Sequence, residues 1–138
     1  MKIGIDYLKK IEACEDSIIL IEKILKKRNI KKIDIIELWN ALNNNAYKLW
    51  AICFFDIKYV KHIIDNGIDI NIIDQYTGDT LLHYACKFNI DIDKIKFFIN
   101  NGADINARNN YGCSLLHYAY TFHRDIEKIK LLVDRGAK

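Results

Sequence analysis

The sequence predicts an all-α solenoid in which antiparallel helix pairs stack in a row and carry protruding turns. The phrase Thr-Leu-Leu-His-Tyr-Ala at 80–85 recurs as Ser-Leu-Leu-His-Tyr-Ala at 114–119. A second phrase, Asn-Gly-Ile-Asp-Ile-Asn at 66–71, recurs as Asn-Gly-Ala-Asp-Ile-Asn at 101–106, and 135–137 begin it a third time. Two unrelated phrases that share a period of about 34 residues indicate an array of stacked units.

The unit at 74–106 begins with a turn and a first helix. Gly78 is free to adopt a positive φ in the turn, and the hydroxyl of Thr80 can cap the helix that follows. The packing residues of that helix are Leu81, Leu82, Tyr84 and Ala85.

A second helix follows after a short loop. Asp91 or Asp93 can cap it, and Gly102 can end it in the left-handed conformation. An extended arm then leads to the next turn. A unit of this kind cannot bury its apolar face alone and must stack on a copy. Its apolar positions have helical spacing: Ile95, Phe97, Phe98 and Ile99.

The third unit, 109–138, has the same parts, with Gly112 in the turn and caps at Ser114 and Asp125. Its predicted packing residues are Leu115, Leu116, Ile126, Ile129, Leu131, Leu132 and Val133. A degenerate unit lies upstream, where Leu49-Trp50-Ala51 replaces the histidine phrase and Gly67 follows at the right distance. Its second helix is predicted from Ile57, Val60, Ile63 and Ile64.

Residues 1–45 lack both phrases. One predicted helix covers about 6–27, and Asp34 can cap another that ends at 43–45. Such helices are expected to cap the open end of the stack, and the alternative is a helix that binds a partner or dimerises through a coiled-coil seam. The apolar stripe of the first helix is Tyr7, Ile11, Cys14, Ile18, Ile21 and Leu25.

The two phrases resemble the ankyrin-repeat signature, Thr-Pro-Leu-His-x-Ala followed by Gly-Ala-Asp-x-Asn. The resemblance covers about 46–138, which gives a domain organisation of an N-terminal helical cap or degenerate repeat at 1–45 and repeats at 46–73 (degenerate), 74–108 and 109–138. Leu81 and Leu115 replace the signature proline, Thr77 resembles an insertion in the turn, and each clear repeat has one extra residue between its helices.

Composition excludes several classes of function. The chain has 138 residues, 51% of them apolar and 28% charged, which is typical of one soluble globular domain. Because the net charge is only +3 and the signs alternate, neither nucleic acid nor a membrane is expected as a partner. The N-terminus has no signal-peptide core and no run reaches membrane-spanning length, which predicts a cytoplasmic protein unless a specialised secretion route exports it.

No pattern predicts catalysis, a metal or a cofactor. The cysteines, Cys14, Cys53, Cys86 and Cys113, are too scattered for a typical zinc site and are expected to be reduced, buried or half-buried thiols. The resemblance implies that His83 and His117 tie adjacent turns together by hydrogen bonds, and neither has a carboxylate or nucleophile at fixed spacing. The basic run between Lys26 and Lys32 is interpreted as a solvated helix end, and the alternative is a contact with nucleic acid or anionic lipid.

The resemblance implies that a partner binds the concave side, made by the turn tips and the exposed side of each first helix. We therefore expect a protein–protein interaction module, monomeric when free, that acts as an adaptor, inhibitor or regulatory subunit; the alternative is an exported bacterial or viral effector that binds a host protein. The phenylalanines of this set could equally turn inward, whereas tyrosines at turn tips favour contact. The expected contact residues are Gln75, Tyr76, Asp79, Lys87, Phe88, Asn110, Tyr111, Cys113, Thr121 and Phe122, with Cys53 and Phe54 at the equivalent positions of the degenerate repeat.

Overall fold

A computed structural model describes residues 2–4, 6, 23, 26–27, 32–42 and 44–138. The chain divides into two compact units, Met1–Ile68 and Asp69–Lys138. The described part contains seven helices and two short strands. The predicted domain boundary after residue 45 stays a prediction.

The first unit contains a small sheet that the sequence did not predict. Strand β1 (Lys2–Gly4) pairs antiparallel with β2 (Lys32–Asp34), with Ile3 opposite Ile33. Both strands carry a β-branched isoleucine at their centre, which suits extended backbone. Most of the predicted helix at 6–27 and its whole apolar stripe lie outside the described residues, as do Arg28 and Lys31 of the basic run.

Helix α1 (Ile35–Ala41) follows β2 directly. The Asp34 side chain accepts a hydrogen bond from the amide of Ile36 at 2.9 Å, so the predicted cap is confirmed. The helix stops two residues short of its predicted end.

The degenerate repeat forms helices α2 (Asn45–Phe54) and α3 (Ile57–Asp65). Leu49 and Ile63 are fully buried, which confirms both helices of the weak repeat. Cys53 lies in the core, which confirms the expectation of a buried thiol and shows that its assignment as a contact position of the degenerate repeat is wrong.

The second unit contains the two clear repeats as helix pairs. The first pair is α4 (Leu81–Lys87) and α5 (Ile92–Asn100), and the second is α6 (Leu115–Phe122) and α7 (Ile126–Asp134). An extended arm and a turn precede each pair, and α4 packs on α6. The all-α fold of stacked helix pairs with protruding turns is therefore confirmed for these repeats.

The predicted helix boundaries hold in this unit. Asp91 and Asp125 cap α5 and α7 by accepting from backbone amides of the first turn, and the Ser114 hydroxyl accepts from the amide of His117 at 3.4 Å. Gly102 has φ +91° just after α5, as expected of a glycine stop.

Two predicted packing residues of α7 are exposed. Ile126 is 79% exposed and Val133 is also exposed, whereas Ile92 and Ile99, the same positions one repeat earlier, are partly covered. The physical reason is that no helix pair of the described chain packs on the far side of α7. Most of the other predicted packing residues of this unit are buried: Leu81, Leu82, Tyr84, Ala85, Ile95, Phe98, Leu115 and Leu132. The rest are half-buried: Phe97, Ile99, Leu116, Ile129 and Leu131.

Candidate functional site

Each turn is held from inside by the polar residue that opens it. Asp74 accepts from the amide of Tyr76 at 2.8 Å, and its own amide donates to the Asp79 carbonyl at 2.8 Å. Asn109 accepts in the same way from the amides of Tyr111 at 3.0 Å and of Cys113 at 2.9 Å. Because the turns close on these inner groups, the two tip tyrosines point outward.

Tyr76 is 70% exposed and Tyr111 is 73% exposed. Gln75 and Asn110 beside them are exposed as well. The structure thus places four of the expected contact residues at neighbouring turn tips.

The two turns are joined to each other. The amide of Asn110 donates to the Thr77 carbonyl at 2.9 Å, and its side chain donates to the Tyr76 carbonyl at 3.3 Å. Gly78 has φ +71°, and a Cβ added there would collide with the Asn110 side chain. Only glycine therefore fits where one turn lies against the next.

His83 connects the first helix of one repeat to the turn of the next. Its Nδ1 accepts from the amide of Thr80 at 3.2 Å, so the ring proton lies on Nε2, which donates to the Cys113 carbonyl at 3.1 Å. Burial lowers the pKa of His83, which keeps the ring neutral at pH 7. The structural role expected for His83 is confirmed.

The same expectation is wrong for His117. Its ring is exposed and makes no hydrogen bond with the described residues. The carbonyl that His83 reaches lies 30 residues further along the chain, and no turn of the described chain stands in the corresponding place beside His117.

Asp79 was expected to contact a partner, and the structure corrects this prediction. It is only 2% exposed, and its carboxylate accepts from the Tyr118 hydroxyl at 2.7 and 2.9 Å and from the Asn109 side chain at 2.8 Å. Burial, followed by the hydrogen bond to Asp79, raises the pKa of Tyr118 well above its ordinary value. These two donors hold the carboxylate inside, where a partner cannot reach it.

The exposed ends of α4 and α6 carry the other expected residues. Phe88 is 39% exposed and lies 5.8 Å from the ring of Tyr84; Phe122 is 46% exposed and lies 5.2 Å from the ring of Tyr118. Each phenylalanine ring is thus packed on one side and exposed to solvent on the other. The structure lies between the two alternatives that the sequence left open, a ring turned inward and a ring exposed for contact. Lys87 and Thr121 next to them are exposed.

A hydrogen bond joins these helix ends. The His123 Nε2 donates to the Lys87 carbonyl at 2.9 Å, and the Lys87 Nζ lies 5.8 Å from the centre of the Phe88 ring. We call the exposed side chains of residues 73–90 and 108–124, with the exception of Tyr120, the turn face. Eight of the ten expected residues are exposed on it, Cys113 is half-buried and Asp79 is buried; their role in binding stays a prediction.

The sequence analysis missed two residues of this face, Ile73 and Arg108. Both are exposed, and each is the last residue of its arm, a position whose repetition could have revealed them. Arg108 donates to the Gly112 carbonyl at 2.9 Å. They share a cavity of about 480 Å³ that is lined by Asn71, Ile73, Gly78, Thr80, Asp104, Asn106, Ala107, Arg108 and Asn110.

The three thiols within the described residues have no arrangement that indicates chemistry. Cys53, Cys86 and Cys113 are reduced, and the first two are buried, as expected; Cys14 lies outside the described residues. Burial raises the pKa of the Cys86 thiol to about 12. Among the described residues, no group of three or more His, Cys, Asp or Glu is placed to hold a metal ion. In the same part of the chain, no helix combines the length and the apolar character needed to cross a membrane.

Comparison with known families matches 90 of the 138 residues. A family model described as ankyrin repeats, in three copies, covers residues 49–138. No curated protein matches the chain significantly. The family match includes the degenerate repeat and both helix pairs of the second unit.

Proposed function

The chain belongs to the ankyrin-repeat family, and on this premise we propose that it is a non-catalytic module that binds a partner protein through the turn face. Repeats of this family are generally protein–protein interaction modules and are typically non-catalytic. The proposed role is that of an adaptor, inhibitor or regulatory subunit that holds one partner inside the cell.

The observation that carries the proposal is the display of Tyr76 and Tyr111 on turns that are fixed by hydrogen bonds. Large exposed aromatic side chains provide much of the energy at binding hot spots. Because the backbone of each turn is already ordered, binding loses little conformational entropy there. Phe88 and Phe122 extend the aromatic surface along the first helices.

The polar groups near this face also favour binding over catalysis. Both ring nitrogens of His83 are engaged, and the Asp79 carboxylate and the Tyr118 hydroxyl bond to each other. A general acid or base needs a proton that can be exchanged with a substrate within hydrogen-bond reach. These groups instead hold one turn against the next helix.

A pull-down from lysate tests the proposal, with a Tyr76→Ala/Tyr111→Ala bait compared with wild type. Tyr120→Ala is the matched control, because Tyr120 is 57% exposed and lies on α6 about 200° around the helix from Tyr118. Melting curves first show that all three baits are folded. We expect a protein that wild type and Tyr120→Ala retain and the double variant loses.

Retention of the same protein by all three baits would contradict binding through the turn face and would direct attention to the N-terminal helices. Loss of the protein from the Tyr120→Ala bait as well would place the interface on another side of α6. Measured turnover of a substrate by the purified chain would overturn the non-catalytic assignment.

A further inference from the structure

The turn face carries exposed charge of one sign. Residues 73–90 and 108–124 are fully described, and their exposed lysine and arginine side chains are Lys87, Arg108 and Arg124. The only carboxylates in these two stretches are those of Asp74 and Asp79. An incoming partner therefore meets cations between the aromatic side chains.

Both carboxylates are withdrawn from the surface. Asp74 is buried and accepts from the amide of Tyr76 and from the Tyr84 hydroxyl, each at 2.8 Å. Asp79 is buried beneath Tyr118 and Asn109. Hydrogen bonds within the repeat satisfy both carboxylates, so neither is presented to a partner.

The second helices and the arms are different. Residues 91–107 and 125–138 contain both acidic and basic residues, and Asp93 with Lys96 forms an exposed pair at 3.2 Å. Asp104 is exposed in the cavity shared with Arg108; it lies four residues earlier in the same arm, outside the turn face, and accepts from the amide of Asn106 at 2.9 Å. The second helices and arms thus present both signs of charge, whereas the turns and first helices present exposed cations without exposed carboxylates.

We propose that the turn face binds an acidic polypeptide segment whose carboxylates flank apolar side chains. This inference rests on the proposed function and names the chemistry of its partner. The apolar side chains of the segment pack on Tyr76, Tyr111, Phe88 and Phe122, and its carboxylates meet Lys87 and Arg108. Complementary charge of this kind speeds association and selects the partner, while the aromatic contacts provide most of the affinity.

Single-stranded nucleic acid also combines negative charge with groups that stack on aromatic rings. The turn face favours polypeptide because its cations are few and the net charge of the chain is only +3. A groove that follows a phosphate backbone needs a longer row of cations. Binding of an oligonucleotide is therefore an arm of the test.

The test is selection of random 16-residue peptides displayed on phage against the full chain and, in parallel, against Tyr76→Ala/Tyr111→Ala. We expect peptides that are enriched on wild type alone and that carry a net charge of about −2 or lower with at least two large apolar residues. Synthetic copies of the enriched peptides then give Kd values by fluorescence anisotropy. Raising the salt from 50 to 500 mM is expected to weaken them several-fold.

Charge variants give the second readout. Lys87→Glu is expected to weaken the acidic peptides about five- to tenfold, and Arg108→Gln about threefold. The matched control is Lys130→Glu, the same change at an exposed lysine of α7, which should leave the Kd unchanged. Melting curves identify any variant that has lost its fold. If one of the two turn-face variants is unfolded, the Kd of the other decides whether the cations contribute to binding.

Four results would overturn the inference. Enriched peptides that are neutral or basic would refute the acidic segment while leaving the proposed function intact. Equal losses in Lys87→Glu and Lys130→Glu would show a non-specific charge effect. Tighter binding of a labelled 20-nucleotide oligothymidylate than of any enriched peptide, lost in Lys87→Glu, would assign the face to nucleic acid. Absence of any enrichment on wild type over the tyrosine variant would refute binding of short segments, and the pull-down would then decide the proposed function separately.

Discussion

Replacing Tyr118 by phenylalanine removes one oxygen from the network that buries Asp79. The hydroxyl donates to both carboxylate oxygens, at 2.7 and 2.9 Å, and the ring stacks edge-on against His83 at 4.9 Å. Phenylalanine keeps the ring contact and deletes the hydroxyl, which donates to Asp79 and accepts from the Asn109 side-chain amide at 3.1 Å. The larger part of the expected loss comes from the hydrogen bond to the buried charge.

The expected loss follows from what remains around the carboxylate. Asp79 keeps the Asn109 side chain as a donor at 2.8 Å, so it is not left without a partner, but it loses its shortest bond. A hydrogen bond to a charged group contributes about 1.5–3 kcal/mol. For a chain of this length roughly 3–4 °C corresponds to 1 kcal/mol, so we expect the melting temperature to fall by about 5–10 °C.

The assays are thermal unfolding and urea unfolding, both followed by circular dichroism at pH 7, with Tyr120→Phe as the control. Tyr120 is an exposed tyrosine of the same helix, and its loss of a hydroxyl should change the unfolding free energy by less than about 0.5 kcal/mol. If a variant has the same m-value as wild type, its shift in urea midpoint reports a change in the free energy of unfolding. If Tyr118→Phe is as stable as Tyr120→Phe, the buried carboxylate does not depend on this bond and the account of Asp79 is refuted.

Three further predictions concern the same repeats. Because burial lowers the pKa of His83 below the ordinary 6.5, the unfolded chain binds more protons than the folded chain just below pH 6.5. The free energy of unfolding should therefore fall by up to about 1.4 kcal/mol per pH unit as the pH drops below 6.5. Urea midpoints at pH 7.0 and 5.5 measure this fall, and the His83→Gln variant should lack the part of it that comes from His83. Gly78→Ala should lower the melting temperature more than Gly112→Ala, since both have positive φ but only the first Cβ meets another turn; equal losses would contradict the turn packing. Iodoacetamide at pH 8 should modify Cys113 in the folded protein well before Cys86, whose thiol has a pKa of about 12, and intact-mass and peptide analysis would reveal the opposite order.

The fold could be predicted because each repeat encodes its own local structure. Caps such as Asp91 and stops such as Gly102 act within one turn of a helix, so the residue type at that position decides the outcome. Exposure of Tyr76 and Tyr111 was predictable for the same reason, because a turn tip has little core to fill. The pairing of β1 with β2 was not, since it joins residues about 30 apart that carry no turn signal.

The candidate site was predicted less well where a side chain depends on a distant partner. Asp79 occupies a turn position that resembles an exposed one, but Tyr118, 39 residues away, draws its carboxylate inward. A tyrosine after the histidine in both phrases, and a polar residue opening each turn, were the signals of this network. These signals reveal the network only once the structure shows that the Tyr84 hydroxyl bonds to Asp74 and the Tyr118 hydroxyl bonds to Asn109.

The two signature histidines show why a repeat position does not by itself define an environment. His83 and His117 occupy the same place in the same phrase, but only His83 faces a turn whose carbonyl accepts its Nε2 proton. The stabilisation therefore belongs to the junction between two repeats, as expected for a fold in which each unit contacts only its neighbours. His83→Ala should consequently destabilise the chain by more than His117→Ala, even though the sequence ranks the two residues as equivalent, and equal melting temperatures for the two variants would show that the junction contributes nothing through this bond.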